Sequence, residues 1–206
     1  MARYVAALAI VLTAAPASAD VLKVYGEVQG GGMFGQGVGG DAMAKENSFF
    51  AQSKGGAYGA TVGGRFLFID GHVSHHQFPH DGTISTWTQF NAGLNFEVDT
   101  GGPEAKKNKT GGYIEIGAWL GFGVATGAQV DPPLDNSEVS DKGFILQGRI
   151  GFGKHLSKNF DIGVQVPASW GYIFRNGDGV AANDTSSQYQ SMQAEALLVF
   201  RANIGL

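Results

Sequence analysis

Four histidines, His72, His75, His76 and His80, stand within one short stretch of this 206-residue chain. Neutral imidazoles bind metals when several converge on one point. Strand spacing sends His72 and His76 to one face and His75 to the other, so the stretch assembles no metal centre by itself. His72 and Ser74, two residues apart, share a strand face, the relation a general base needs with a hydroxyl nucleophile. The segment around them, 72–79, holds no carboxylate to orient the imidazole. Gly35-Gln36-Gly37-Val38-Gly39-Gly40 matches a G-x-G-x-x-G string. It lacks the strand-to-helix setting that cradles a phosphate, and it is expected to be a flexible loop. Asp131, Asp135, Glu138 and Asp141, with Pro132-Pro133, form an acidic stretch expected to be a solvated loop; bridging Ca²⁺ there is the alternative. With 0 Cys, thiolate zinc sites, disulfides and thiol nucleophiles are excluded. These residues supply no catalytic, cofactor-binding or metal-ligating set, and no cofactor is expected.

The elements that carry these residues follow a plain rule. Even positions are apolar or uncharged from Ile84 to Val98, Ile114 to Val124, Phe144 to Phe152, Phe160 to Phe174 and Met192 to Leu206. The odd positions between them hold Gln89, Asn91, Glu97, Glu115, Arg149, Gln165 and Arg201, padded with glycine from a total of 33. Alternation at every second residue belongs to strands. Leu22, Val24 and Val28, and Tyr58, Val62 and Phe66, extend the scheme towards the N-terminus. The charge of −4 is too acidic for affinity built on nucleic-acid phosphates.

The expected strands are 21–32, 57–69, 72–79, 83–98, 112–126, 142–155, 160–174 and 188–206, with Asp70-Gly71 as a two-residue hairpin turn. Pro167 must forfeit a ladder hydrogen bond, and a bulge or bend is expected there. The runs are longer than the ~5–6 residues usual in globular sheets and suit a tilted bilayer crossing. Aromatic residues gather near the segment ends, as interfacial girdles require. The expected fold class is therefore all-β: an eight-stranded antiparallel up-and-down transmembrane barrel, apolar outside, with a polar, Gly-rich lumen. Lys23, Glu27, Arg65, Glu97, Glu115, Arg149, Asp161, Glu195 and Arg201 should face that lumen as a near-balanced ion-pair network. A soluble barrel holding an apolar ligand inside is the rival reading.

Met1–Ala19 has a basic start at Arg3, an apolar run from Val5 to Ala15 and a small-x-small end at Ala17-Ser18-Ala19, the pattern of a cleaved export signal. Residues 20–206 are then expected to form one barrel domain. Together these features resemble the small outer-membrane β-barrels of the OmpA/OmpX type. The resemblance implies residence in the cell outer membrane, contact with bilayer lipid and lipopolysaccharide, insertion by the outer-membrane assembly machinery and a monomer. The expected role is structural or surface-interacting, through the external loops and without catalysis. A narrow pore for ions or small solutes is the alternative. The His72/Ser74 spacing also resembles the His-x-Ser pair of outer-membrane lipid A deacylases, which implies base and nucleophile on a lipid-facing surface. The Asp70-Gly71 turn points both residues into the lumen instead.

Overall fold

A strand with one oily and one wet face must hide one of them, and eight such strands can do so by curling until the last pairs with the first. The computed structural model shows this closure: β1 to β8 form one antiparallel barrel in sequence order, sealed by β1 against β8. The strands are β1 (Leu22–Gly40), β2 (Lys54–Phe66), β3 (Ile69–His80), β4 (Thr83–Asp99), β5 (Gly112–Thr126), β6 (Ser140–His155), β7 (Phe160–Asn176) and β8 (Gln188–Gly205). The structure describes residues 21–40, 54–80, 83–102, 104, 108, 110–126, 140–176 and 188–205. The expected export signal, Met1–Ala19, lies outside them, as do Asp131, Asp135 and Glu138.

The oily face is outside. Phe90, Ile116, Leu120, Phe144 and Leu198 are each more than half exposed, and the same face continues around all eight strands. Water-soluble monomers rarely carry an apolar patch above ~600 Å². A continuous apolar girdle on a closed barrel is the surface that hydrocarbon solvates, and the strands cross a membrane. Glu115, Arg149 and Arg201 are buried inside, which rules out the soluble barrel with an apolar interior.

Three local expectations are corrected. The first hairpin turn is Leu67-Phe68, with Phe66 opposite Ile69, and Asp70 and Gly71 are strand residues. Leu67 takes φ 55°, a left-handed conformation that costs a side-chain residue ~1–2 kcal/mol. Both neighbours hold the turn: Leu67 N–H donates to the Val21 carbonyl at 2.9 Å, and Asn95 N–H donates to the Phe68 carbonyl at 2.8 Å. The turn sets Ile69 against lipid and Asp70 in the lumen, where turn chemistry alone would have left Asp70 at the tip. Secondly, Gly35–Gly40 is not a loop. It continues β1 against β8, with a register shift between Gly37 and Gly39. Thirdly, Pro167 gives up its place in the ladder, as expected, but inserts no bulge. The β7–β8 ladder is interrupted at Val166 and Pro167, yet Gln165–Leu197 and Ala168–Ala194 keep one register across the gap.

Candidate functional site

The inward side chains of eight strands meet in a bore so narrow that they touch across it. Glycine on the inner face makes room for the largest of them. A Cβ on Gly117 would collide with the Trp119 ring, and one on Gly123 with the Trp87 ring. Trp87 and Trp119 are each 1% exposed, so the bore is packed with side chains at both heights.

In the half nearest the chain termini the packing is ionic. Arg201 on β8 is the hub: its Nε lies 2.6 Å from Glu27 Oε1, its Nη2 2.6 Å from Glu115 Oε2 and its Nη1 3.3 Å from Glu97 Oε2. The guanidinium also sits 5.6 and 5.7 Å from the ring centres of Tyr25 and Tyr113, within cation–π range. Arg149 takes the other Glu115 oxygen at 2.5 Å and lies 4.7 Å over the Trp119 ring. Glu97 Oε2 also receives Lys23 at 3.1 Å and Arg65 at 3.0 Å, nearer the rim. A buried charge is tolerated best beside a partner of opposite sign, and each charge of this network has one within 3.3 Å.

Asp70 is a second anchor. It accepts from the Tyr25 hydroxyl at 3.0 Å, Trp119 Nε1 at 2.9 Å and His72 Nδ1 at 2.8 Å. His72 Nε2 faces Asn91 Nδ2 at 3.1 Å. The carboxylate that the sequence did not place beside His72 is thus present, two residues back on the same strand. His72 and Ser74 do face the lumen, as the alternation required, and His72 pairs with Asp70 and Asn91 rather than with Ser74. His76 Nε2 donates to Gln29 Oε1 at 2.7 Å, and its Nδ1 lies 3.0 Å from Glu195 Oε2. His75 points to the lipid side, against the Thr88 hydroxyl at 2.8 Å.

At the loop end the filling changes character. Met33, Ala57, Phe78, Trp87, Ala125, Ile145, Ile173 and Tyr189 form an apolar plug across the bore. Asp141 caps it, paired to Arg175 at 2.9 Å and accepting the Tyr189 hydroxyl at 2.8 Å. Asp141 is therefore a buried strand residue, not part of a solvated acidic loop.

All nine charges expected to face the lumen do so. The sequence reading missed Asp70, Asp99, Asp141, His155 and Arg175. Carrying the odd-position rule past the expected strand ends would have caught Asp99, Asp141 and Arg175. Glu97, Asp99 and His155 place donor atoms within 4.8 Å of one another, a spacing that could hold a cation. Each donor is already matched: Glu97 by three cations, and the His155 ring by Asp161 at 2.6 Å and Asp99 at 3.0 Å. With a carboxylate on each ring nitrogen, His155 donates twice and itself fills the position a cation would take.

No family model matches the chain, and no curated protein matches it by sequence. Solved structures match it by shape. The crystal structure of Neisserial surface protein A superposes with a TM-score of 0.57 at 14% identity, over 87% of this chain and 96% of that one. The outer membrane protein OprG from Pseudomonas aeruginosa gives 0.50 at 10% identity, over 90% and 96%. At such identities the likeness is one of fold: the chain has the architecture of the small outer-membrane barrels.

Proposed function

We propose that the protein is an outer-membrane barrel that works without catalysis, as a structural or surface-interaction element, presenting its long connections to the cell exterior. The observation that carries this reading is the bore, filled by an ion-pair network at one end and an apolar plug at the other. A filled bore leaves the outer wall and the connections as the surfaces through which such a protein meets others. The segments 41–53, 127–139 and 177–187 all join strands at the end opposite the termini. Outer-membrane barrels place long connections outside and termini inside. The apolar girdle supplies the affinity for the bilayer. The enclosure of His72 and Ser74 in the lumen, away from lipid, supports a role other than lipid hydrolysis.

Two measurements test the proposal. Fractionated cells should yield the protein in the outer membrane, with the change in gel mobility on boiling that folded barrels show. Inserted into planar bilayers, the purified chain should give no steady conductance. A reproducible open level in the wild-type protein overturns the closed-bore reading in favour of a pore.

A further inference from the structure

The outer wall is not uniform. On β7 every outward position from Phe160 to Phe174 is apolar or aromatic, whereas on β3 the apolar run is only Ile69, Gly71 and Val73 before His75 and Gln77 interrupt it. The next strand repeats the interruption with Thr86 and Thr88, and β5 ends on Thr126. These groups pair among themselves on the exterior: His75 Nδ1 with Thr88 Oγ1 at 2.8 Å, and Thr86 Oγ1 with Thr126 Oγ1 at 2.7 Å. A polar group facing hydrocarbon is costly unless satisfied. One such bond leaves the second nitrogen of His75 and the remaining lone pairs of the hydroxyls still able to bond.

Directly below this notch, towards the termini, the wall is hollow. Gly71 and Ala92 form a floor with almost no side chain, and Val73, Phe90, Leu120 and Phe144 stand around it, leaving a shallow depression that is open to the outside. Val73 opposite Phe90 is the outward pair next to His75 opposite Thr88. Polar notch and oily hollow are therefore contiguous, the notch on the loop side and the hollow towards the middle of the wall.

We propose that this face is a binding site for one lipid of the loop-side leaflet, with an acyl chain in the hollow and its ester or amide linkage hydrogen-bonded at His75 and Thr88. The order of polarity selects the occupant. In that leaflet a lipid has its polar linkage towards the loops and its chain towards the bilayer centre, as the wall does here. The site rests on the membrane reading above, because a chain that does not enter a bilayer meets no such lipid.

The test uses the full chain refolded in dodecylmaltoside micelles, with dipalmitoylphosphatidylglycerol as probe and native mass spectrometry as readout. One lipid should remain on the wild-type protein. Ala92→Phe, which fills the floor, should lower its occupancy about tenfold, a loss of ~1.4 kcal/mol. The same exchange at Ala168, on the outward face of β7, should leave occupancy unchanged. Equal retention by Ala92→Phe, or an equal fall in Ala168→Phe, overturns the site. A measurement on the wild type does not depend on a variant folding: nuclear Overhauser contacts from the lipid glycerol protons to the His75 ring are expected, and their absence also overturns it. Insertion into vesicles, scored by the boiling-dependent gel shift, separates the two readings. A chain that inserts but holds no lipid here loses only the site, and one that does not insert loses the membrane assignment as well.

Discussion

The two ends of the bore are closed by opposite means. At the loop end Trp87, Ile145, Ile173 and Tyr189 close it by filling volume, and at the terminus end Arg201, Arg149, Glu27, Glu97 and Glu115 close it by reciprocity of charge. An apolar plug loses stability in proportion to the atoms removed. An ion network loses it according to what is left behind, because a buried charge without its partner costs more than the pair contributed. The same bore thus contains one region that should respond gradually to substitution and one that should respond abruptly.

The abrupt region gives the largest effect. Arg201→Met strips three carboxylates of a shared cation and should cost ~3–5 kcal/mol in a urea titration of the refolded barrel. Adding Glu27→Gln to the same chain should recover part of that loss, since Glu27 pairs with Arg201, whereas Glu115 keeps Arg149 and Glu97 keeps Lys23 and Arg65. If the double variant is no more stable than the single one, the hub acts by packing, and the contrast between the ends disappears.

The plug should answer in steps. Ile173, at 0% exposure, loses ~2–5 kcal/mol on Ile173→Ala and only ~0.5–1.5 on Ile173→Val, following the volume removed. Equal losses in the two would show that the plug is not close-packed. Overfilling is the complementary test: Gly123→Val drives a side chain into Trp87 and to within 2.6 Å of Ile145 Cδ1, and should cost ~1–3 kcal/mol. A planar-bilayer recording of Ile173→Ala should stay closed, because the ion network still spans the bore below it.

What the chain alone makes legible is which face each residue takes, and little about whom it meets there. Face follows from a period of two, which any strand obeys. The period survives even the misplaced hairpin: moving the turn by three residues, from Asp70-Gly71 to Leu67-Phe68, shifts every partner by six positions, an even number, and leaves His72 and Ser74 inside. Strand ends were less legible. Gly35–Gly40 has loop composition, yet β8 is long enough to pair with it, so composition yields to the partner strand. Partnership was not legible at all. Arg201 reaches Glu27 and Glu115 from 174 and 86 residues away, and nothing in local spacing carries a cross-barrel register. Asp70 was hidden for a related reason: Asp-Gly is strong turn chemistry, and only the Tyr25 hydroxyl, Trp119 and His72 around it outweigh that preference.

The smallest expected effect lies where the ionic end meets solvent. Lys23 approaches Glu97 at 3.1 Å with its side chain 10% exposed, while Arg65 and Arg201 hold the same carboxylate from 3.0 and 3.3 Å. Lys23→Met therefore leaves Glu97 with two cations, and the apolar stem of methionine still fills the position along β1. The loss should be at most ~1 kcal/mol, in the range of exposed pairs rather than buried ones. Removing Arg65 as well leaves Arg201 as the one guanidinium still paired to Glu97, and the second step should exceed the first. Additive steps would show that Glu97 is satisfied by solvent at the rim. A second step larger than the first would show that the abrupt behaviour assigned to the core of the network reaches out to its edge, and that the charges at this end act as one unit.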